Sequence, residues 1–175
     1  MRRSRLLALL FATALALGAT ALMATPASAG INGFFLKNQA NGLCLQPTSP
    51  AAGAEIIQTY CKPPVDYNSD QGWSFYCLPG TGDCSKLRNH GGSGTLCLRS
   101  KYATNGGRIE LWPCNWISDE NWNRYYNNAF LSRVGGTSTH CLDVPGGQST
   151  VGLHVQAYRC NGTTAQAWLT PVLVN

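Results

Sequence analysis

Eight cysteines, three histidines and eight carboxylates are the side chains of this 175-residue chain whose types can do chemistry. Metal binding needs clustered ligands such as C-x-x-C, and none of the cysteines stands so; His140 beside Cys141 has no second close partner. An even cysteine count without metal spacing reads as disulfides. Cys44 and Cys61 lie 17 residues apart, as do Cys97 and Cys114, and Cys141 and Cys160 lie 19 apart, which suggests those three pairs. Cys77 and Cys84 then pair across Pro79-Gly80-Thr81-Gly82. Each of the longer loops is expected to add roughly 3 kcal/mol by restricting the unfolded chain. Catalysis finds less support. Glycoside hydrolysis needs two carboxylates flanking the bond. The acids are Glu55, Asp66, Asp70, Asp83, Glu110, Asp119, Glu120 and Asp143; the adjacent pair Asp119-Glu120 would face opposite ways on a strand. A nucleophilic triad needs a base beside a free Ser or Cys, and His90, His140 and His154 form no such arrangement. No enzyme, metal site or cofactor is expected.

The first stretch is set apart from the rest. Arg2, Arg3 and Arg5 precede an apolar run from Leu6 to Ala24, and Ala27-Ser28-Ala29 offers a small-residue cleavage site, the layout of a secretory signal peptide over residues 1–29. Thr13, Gly18 and Thr20, with no basic stop-transfer after them, argue against a membrane anchor. The leader holds 3 of the 13 basic residues and no acids, so the remainder is nearly neutral. Strong binding to nucleic acid or to an anionic membrane has no basic patch to drive it. A secreted domain over residues 30–175, without membrane insertion, is expected.

The elements that must position any site repeat three times. The first copy reads Phe35-Leu36-Lys37-Asn38, a turn at Asn41-Gly42, then Leu43-Cys44-Leu45-Gln46. The second reads Lys86-Leu87-Arg88-Asn89, a turn through Gly91-Gly92-Ser93-Gly94, then Leu96-Cys97-Leu98-Arg99. The third reads Leu131-Ser132-Arg133-Val134, a turn at Gly135-Gly136, then His140-Cys141-Leu142-Asp143. Each copy ends on a tryptophan, at Gln71-Gly72-Trp73, Glu120-Asn121-Trp122 and Gln166-Ala167-Trp168. The segments are short and bounded by Gly, Pro, Asn and Ser, and none shows sustained helical periodicity. An all-β domain is expected, of three units at about 31–78, 79–126 and 127–175. Closed around a pseudo-threefold axis, each unit covers the apolar faces of the other two, and Trp73, Trp122 and Trp168 become core residues.

Three copies of Cys-Leu-x … Cys … Gln-x-Trp resemble the ricin B-type lectin family over nearly all of residues 31–175. The third copy carries the resemblance furthest, from Cys141-Leu142-Asp143-Val144 through Val155-Gln156-Ala157-Tyr158-Arg159-Cys160-Asn161-Gly162 to Gln166-Ala167-Trp168. The resemblance implies a β-trefoil of twelve strands with up to three shallow sugar sites, one per repeat. It also implies a site made of an Asp after Cys-Leu, an aromatic two residues before the second Cys, and a polar residue two before that. In the third repeat these are Asp143, Tyr158 and Gln156. The chemistry suits a sugar: a ring covers its C–H face, and a carboxylate accepts from paired hydroxyls through charge-assisted bonds. Gln156 and Tyr158, two apart, share one strand face.

Departures from the pattern set limits. Ala165 stands where the family offers a hydrogen-bonding side chain, leaving Asn161 or His154 to replace it, and Gln166 reads as a buried structural amide. In the second repeat Arg99 replaces the Asp, beside Glu110 and Trp112; a cation cannot accept hydroxyl protons, so Arg99 is expected to pair with Glu110 or Asp119. The first repeat has Gln46, Ile57 and Thr59, with neither charge nor platform. The expected partner is a glycan or polysaccharide bound mainly by the third repeat; the alternative is a protein-binding trefoil, an inhibitor or toxin-associated subunit with decayed sugar sites.

Overall fold

Short runs of alternating side chains, bounded by turns rich in glycine, asparagine and proline, become strands. In a computed structural model, residues 33–62, 69–77, 79–115, 117–124, 126–136 and 138–171 are described; the leader expected at 1–29 lies outside them. The first unit carries β1 (Lys37–Asn38), β2 (Cys44–Pro47), β3 (Ile56–Thr59) and β4 (Trp73–Tyr76). The second carries β5 (Lys86–Asn89), β6 (Leu96–Ser100), β7 (Gly107–Pro113) and β8 (Trp122–Arg124). The third carries β9 (Phe130–Ser132), β10 (His140–Asp143), β11 (Gln156–Arg159) and β12 (Trp168–Leu169).

Pairing closes these strands twice. Antiparallel pairs β12–β1, β4–β5 and β8–β9 are linked by the bridges Phe34–Trp73, Lys86–Asn121 and Ala129–Ala167, which completes a ring of six strands. The hairpins β2–β3, β6–β7 and β10–β11 cap that ring. They meet one another through β7–β11 and through the bridges Glu55–Glu110 and Ile57–His154. This is the β-trefoil, and closure leaves no long unpaired edge.

The core follows the threefold axis. Leu36, Leu87 and Phe130 come from the ring, Leu45, Leu98 and Leu142 from the cap, and all six are fully buried. Trp73, Trp122 and Trp168 lie among them, and each indole Nε1 donates to the carbonyl of the capping leucine, at 3.3, 2.9 and 3.0 Å. A buried indole whose N–H is satisfied contributes its whole apolar area; truncation to Ala typically costs about 3–5 kcal/mol.

The four disulfides join the expected pairs, with Cα separations of 4.9, 3.8, 5.0 and 5.1 Å, and no free cysteine remains among the described residues. The third copy departs from its expected alignment by two residues. Asn38, Asn89 and Ser132 pair with Trp168, Trp73 and Trp122, so Phe130, not Ser132, matches Leu36 and Leu87. The bulkier ring fills the axial space, while Leu131 packs outward against Ala129 and Cys141. One core position is charged: Lys86 replaces Phe35 and Ala129, and its ammonium, fully buried, donates to the Ile117 carbonyl at 2.8 Å and to Asn121 Oδ1.

Candidate functional site

The β10–β11 hairpin sets Asp143 opposite Gln156 and Cys141 opposite Tyr158, so the three candidate polar groups and the Cys141–Cys160 link share one face. Together with Asn161, these residues line an open cleft of about 460 Å³. The carboxylate is only 4 % exposed, and Gln156 Nε2 donates to its Oδ1 at 2.7 Å. Burial raises the Asp143 pKa above its ordinary value of 3.8, against the opposing pull of the Gln156 and Gln166 amides. Tyr158 keeps 37 % of its surface exposed and forms the aromatic wall. A fixed acceptor beside an exposed ring can accept hydroxyl protons on one side and cover C–H groups on the other.

Several walls carry no sequence signal of their own. Pro145–Gly147 turns sharply after β10, with Gly146 at φ 59° and Gly147 at φ 63°, a left-handed pair that side chains would strain. Ala40 reaches the cleft from the first unit, because Asn38 Nδ2 donates to the Ala165 carbonyl at 2.9 Å. Thr163 and Thr164 complete the rim. The Pro-Gly-Gly run is turn chemistry, and Thr163 and Thr164 follow β11 closely, whereas Ala40 comes from a segment more than a hundred residues away.

Asn161 has a double role. Its Oδ1 accepts from Thr163 N at 3.1 Å and Thr163 Oγ1 at 2.8 Å, which leaves the Nδ2 protons as the part able to serve a ligand. Ala165 lines the cleft without a polar side chain, as its type requires. His154 does not join the site. It precedes β11, bridges to Ile57 of β3, and turns its Nδ1 to Glu55 Oε2 at 3.1 Å, so its side chain follows the neighbouring hairpin instead of the face of Gln156.

The second repeat has the same frame with other contents. Arg99 lies opposite Glu110 and Cys97 opposite Trp112, the same register as in the third repeat. Arg99 Nη2 donates to Glu110 Oε1, and its guanidinium sits 3.9 Å from the centre of the Trp112 ring. Glu110 Oε2 also meets Arg108 Nε at 3.0 Å, and Arg108 continues to Glu55 at 3.3 Å. Cation and carboxylate thus occupy the place a hydroxyl pair would take, over the aromatic face. In the first repeat Gln46 accepts from Gln71 Nε2 at 3.1 Å, opposite Ile57.

The residue two before each closing tryptophan separates the repeats again. Gln166 Oε1 accepts from Asn161 N at 2.8 Å and its Nε2 donates to the Arg159 carbonyl at 3.1 Å. Gln71 does the same with Lys62 N and the Tyr60 carbonyl, both at 2.9 Å. Glu120 accepts from Asn115 N at 2.8 Å, but its buried Oε1 has no partner, and Lys86 Nζ stands 3.8 Å from Oε2. Burial raises the Glu120 pKa from 4.5 to about 7 and lowers that of Lys86. Among the described residues, no group of three or more His, Cys, Asp or Glu could hold a metal, and no helix is long and apolar enough to cross a membrane.

Fold, disulfides and threefold register together define a β-trefoil of the lectin type, and the family comparison agrees. The Ricin-type beta-trefoil lectin domain matches residues 33–168, and the chain belongs to that family. No curated protein sequence matches it significantly. Among solved structures, the C-half of an earthworm R-type lectin in complex with GalNAc is 19 % identical, with a TM-score of 0.64 over 81 % of this chain and 98 % of that one. The designed threefold-symmetric protein ThreeFoil is 17 % identical, with a TM-score of 0.62 over 82 % and 99 %. The β-trefoil lectin of the Vibrio vulnificus hemolysin/cytolysin, solved with N-acetyl-D-lactosamine, is 18 % identical, with a TM-score of 0.62 over 84 % and 98 %. At such identities the likeness is one of fold.

Proposed function

We propose that this protein is a secreted lectin that binds a glycan through the cleft of its third repeat. The observation that carries the reading is the coincidence of a fixed carboxylate, Asp143, with an exposed aromatic wall, Tyr158, in one open cleft. Asp143 accepts hydroxyl protons while Gln156 holds its other contact, Asn161 Nδ2 donates to a sugar oxygen, and the Tyr158 ring covers the C–H face. The basic, apolar leader at residues 1–29 and four disulfides support export to an oxidising compartment. The ligands of the solved relatives support a sugar as the occupant. One shallow site binds at about millimolar strength, roughly 4 kcal/mol.

A glycan array with the domain over residues 30–175, followed by titration of the best ligand against wild type and Asp143→Asn, tests the reading. Binding that weakens in the variant is the expected result. An array without a hit, or a hit indifferent to Asp143→Asn, overturns it and favours a protein partner for the trefoil surface.

A further inference from the structure

Three hollows meet at Thr163. The first is the cleft already described. The second, of about 310 Å³, is lined by Gln39, Asn127, Asn128 and Gly162 with Thr163 and Thr164, the same two threonines that form the rim of the cleft. The third lies against Tyr126, Asn127, Gly162 and Thr163. The second hollow falls at the lower bound of ligand-site sizes, about 300 Å³. Amides and hydroxyls line it beside Gly162 and Ala167; Asn128 Oδ1 accepts from Arg124 Nη2 at 3.3 Å, while neither the Asn127 side chain nor that of Gln39 is bonded to another described residue. An unengaged amide offers both donors and an acceptor, the set a sugar ring's hydroxyls use.

A second, independent observation lies in the backbone. Asn127 at φ 54° and Asn128 at φ 61° are the non-glycine residues with positive φ among the described residues, and they are consecutive. Asparagine tolerates this region better than most residues, yet glycine would occupy it without strain. Among the described residues glycine takes twelve other positive-φ positions, so the asparagine pair is held here against the easier choice. Strain of this kind is retained where the side chain has work to do. Tyr126, 79 % exposed, precedes the strained turn and lines the third hollow. Asn161 braces the ridge between the hollows by bonding Thr163 twice, so the two spaces keep a fixed relation.

We propose that the third-repeat site takes an oligosaccharide, whose first sugar lies on Tyr158 and Asp143 and whose next sugar crosses Thr163–Thr164 to lie against Asn127, Asn128 and Gln39. The proposal rests on the lectin reading and extends it across the boundary between the third and first repeats. Specificity then comes from the linkage that lets a chain cross the ridge, not from the terminal sugar alone.

The test is an array presenting each terminal monosaccharide alone and extended by one to three further residues, with titration of the best matched pair. The wild type is expected to bind the extended form about tenfold more tightly, the worth of one or two added hydrogen bonds. In the double variant Asn127→Gly/Asn128→Gly the backbone is relieved, so thermal stability holds or rises while the two affinities converge. Asp143→Asn lowers both affinities. Equal binding of both forms by wild type, or an advantage that survives the double variant, overturns the subsite and leaves the lectin reading standing. Indifference of both ligands to Asp143→Asn, or an array without a hit, overturns both.

Discussion

Arg99 and Asp143 occupy the same position in successive repeats, each at the same distance from a disulfide and each facing its partner on the neighbouring strand. Asp143 meets Gln156 beside an open cleft; Arg99 meets Glu110 and covers Trp112. The strand register is shared, so the same frame carries a different placement of charge. Moving the carboxylate from one strand of the hairpin to the other, and adding a cation, turns a surface that needs an external hydroxyl pair into one that is internally complete. A position of this kind is filled from within the chain. The closing motif repeats the lesson, since Gln166 satisfies both its amide ends, whereas Glu120 leaves one oxygen bare beside a buried lysine.

The comparison breaks most visibly on stability. Glu110→Ala removes the carboxylate from two arginines and leaves Arg99, nearly buried, uncompensated; a loss of about 3 kcal/mol in chemical denaturation is expected. Gln156→Ala in the third repeat should cost less, about 1 kcal/mol, because Asp143 can turn to water in the open cleft. Next in size is affinity: Asp143→Asn and Tyr158→Ala should each weaken glycan binding by about 1–2 kcal/mol in titration calorimetry. Acid should do the same to the wild type. The Asp143 carboxyl titrates above its ordinary value, so affinity falls on acidification at a pH where an exposed aspartate would still be charged.

A smaller effect separates Glu120 from Gln166. Its folded pKa is about 7 against 4.5 for an unperturbed glutamate, so the folded state holds the proton more tightly. The resulting stabilisation is complete below the unfolded value and lost as pH rises through the folded one. The melting temperature of wild type relative to Glu120→Gln should therefore decline between about pH 5 and pH 8. A flat difference would mean that Lys86 keeps the carboxylate charged throughout. Smallest of all, Gln46→Ala and Arg99→Lys should leave glycan affinity unchanged, since neither repeat presents the constellation.

Much of this was legible before any coordinates. Cysteine spacing and the recurrent Cys-Leu and tryptophan positions carried the threefold frame, because strand period and disulfide length constrain the segments between them. The Arg99–Glu110 pair followed from the same offsets. What failed followed the same physics. Around β9 the Gly135-Gly136 turn sets the expected frame two residues late, and Phe130 and Leu131 are both apolar, so alternation does not mark which one faces the axis. His154 lies just beyond the paired part of β11, where alternation no longer governs direction. Ala40 enters the cleft through tertiary closure, which leaves no local pattern. The buried Lys86–Glu120 couple was hidden because each residue alone looks like a surface charge.

The seam between β1 and β12 has a consequence for biosynthesis. The first strand of the domain finds its ring neighbour only when the last has emerged, and Asn38 reaches Ala165 across 127 residues of chain. Until that seam forms, Ala40 is absent from its place beside Gly147 and Ala165, and the wall of the cleft is missing. A nascent or truncated chain can hold its hairpins and disulfides yet present no complete cleft. Ligand capture would then report on finished molecules alone, so an affinity column bearing the cognate glycan would also act as a filter for correctly matured protein.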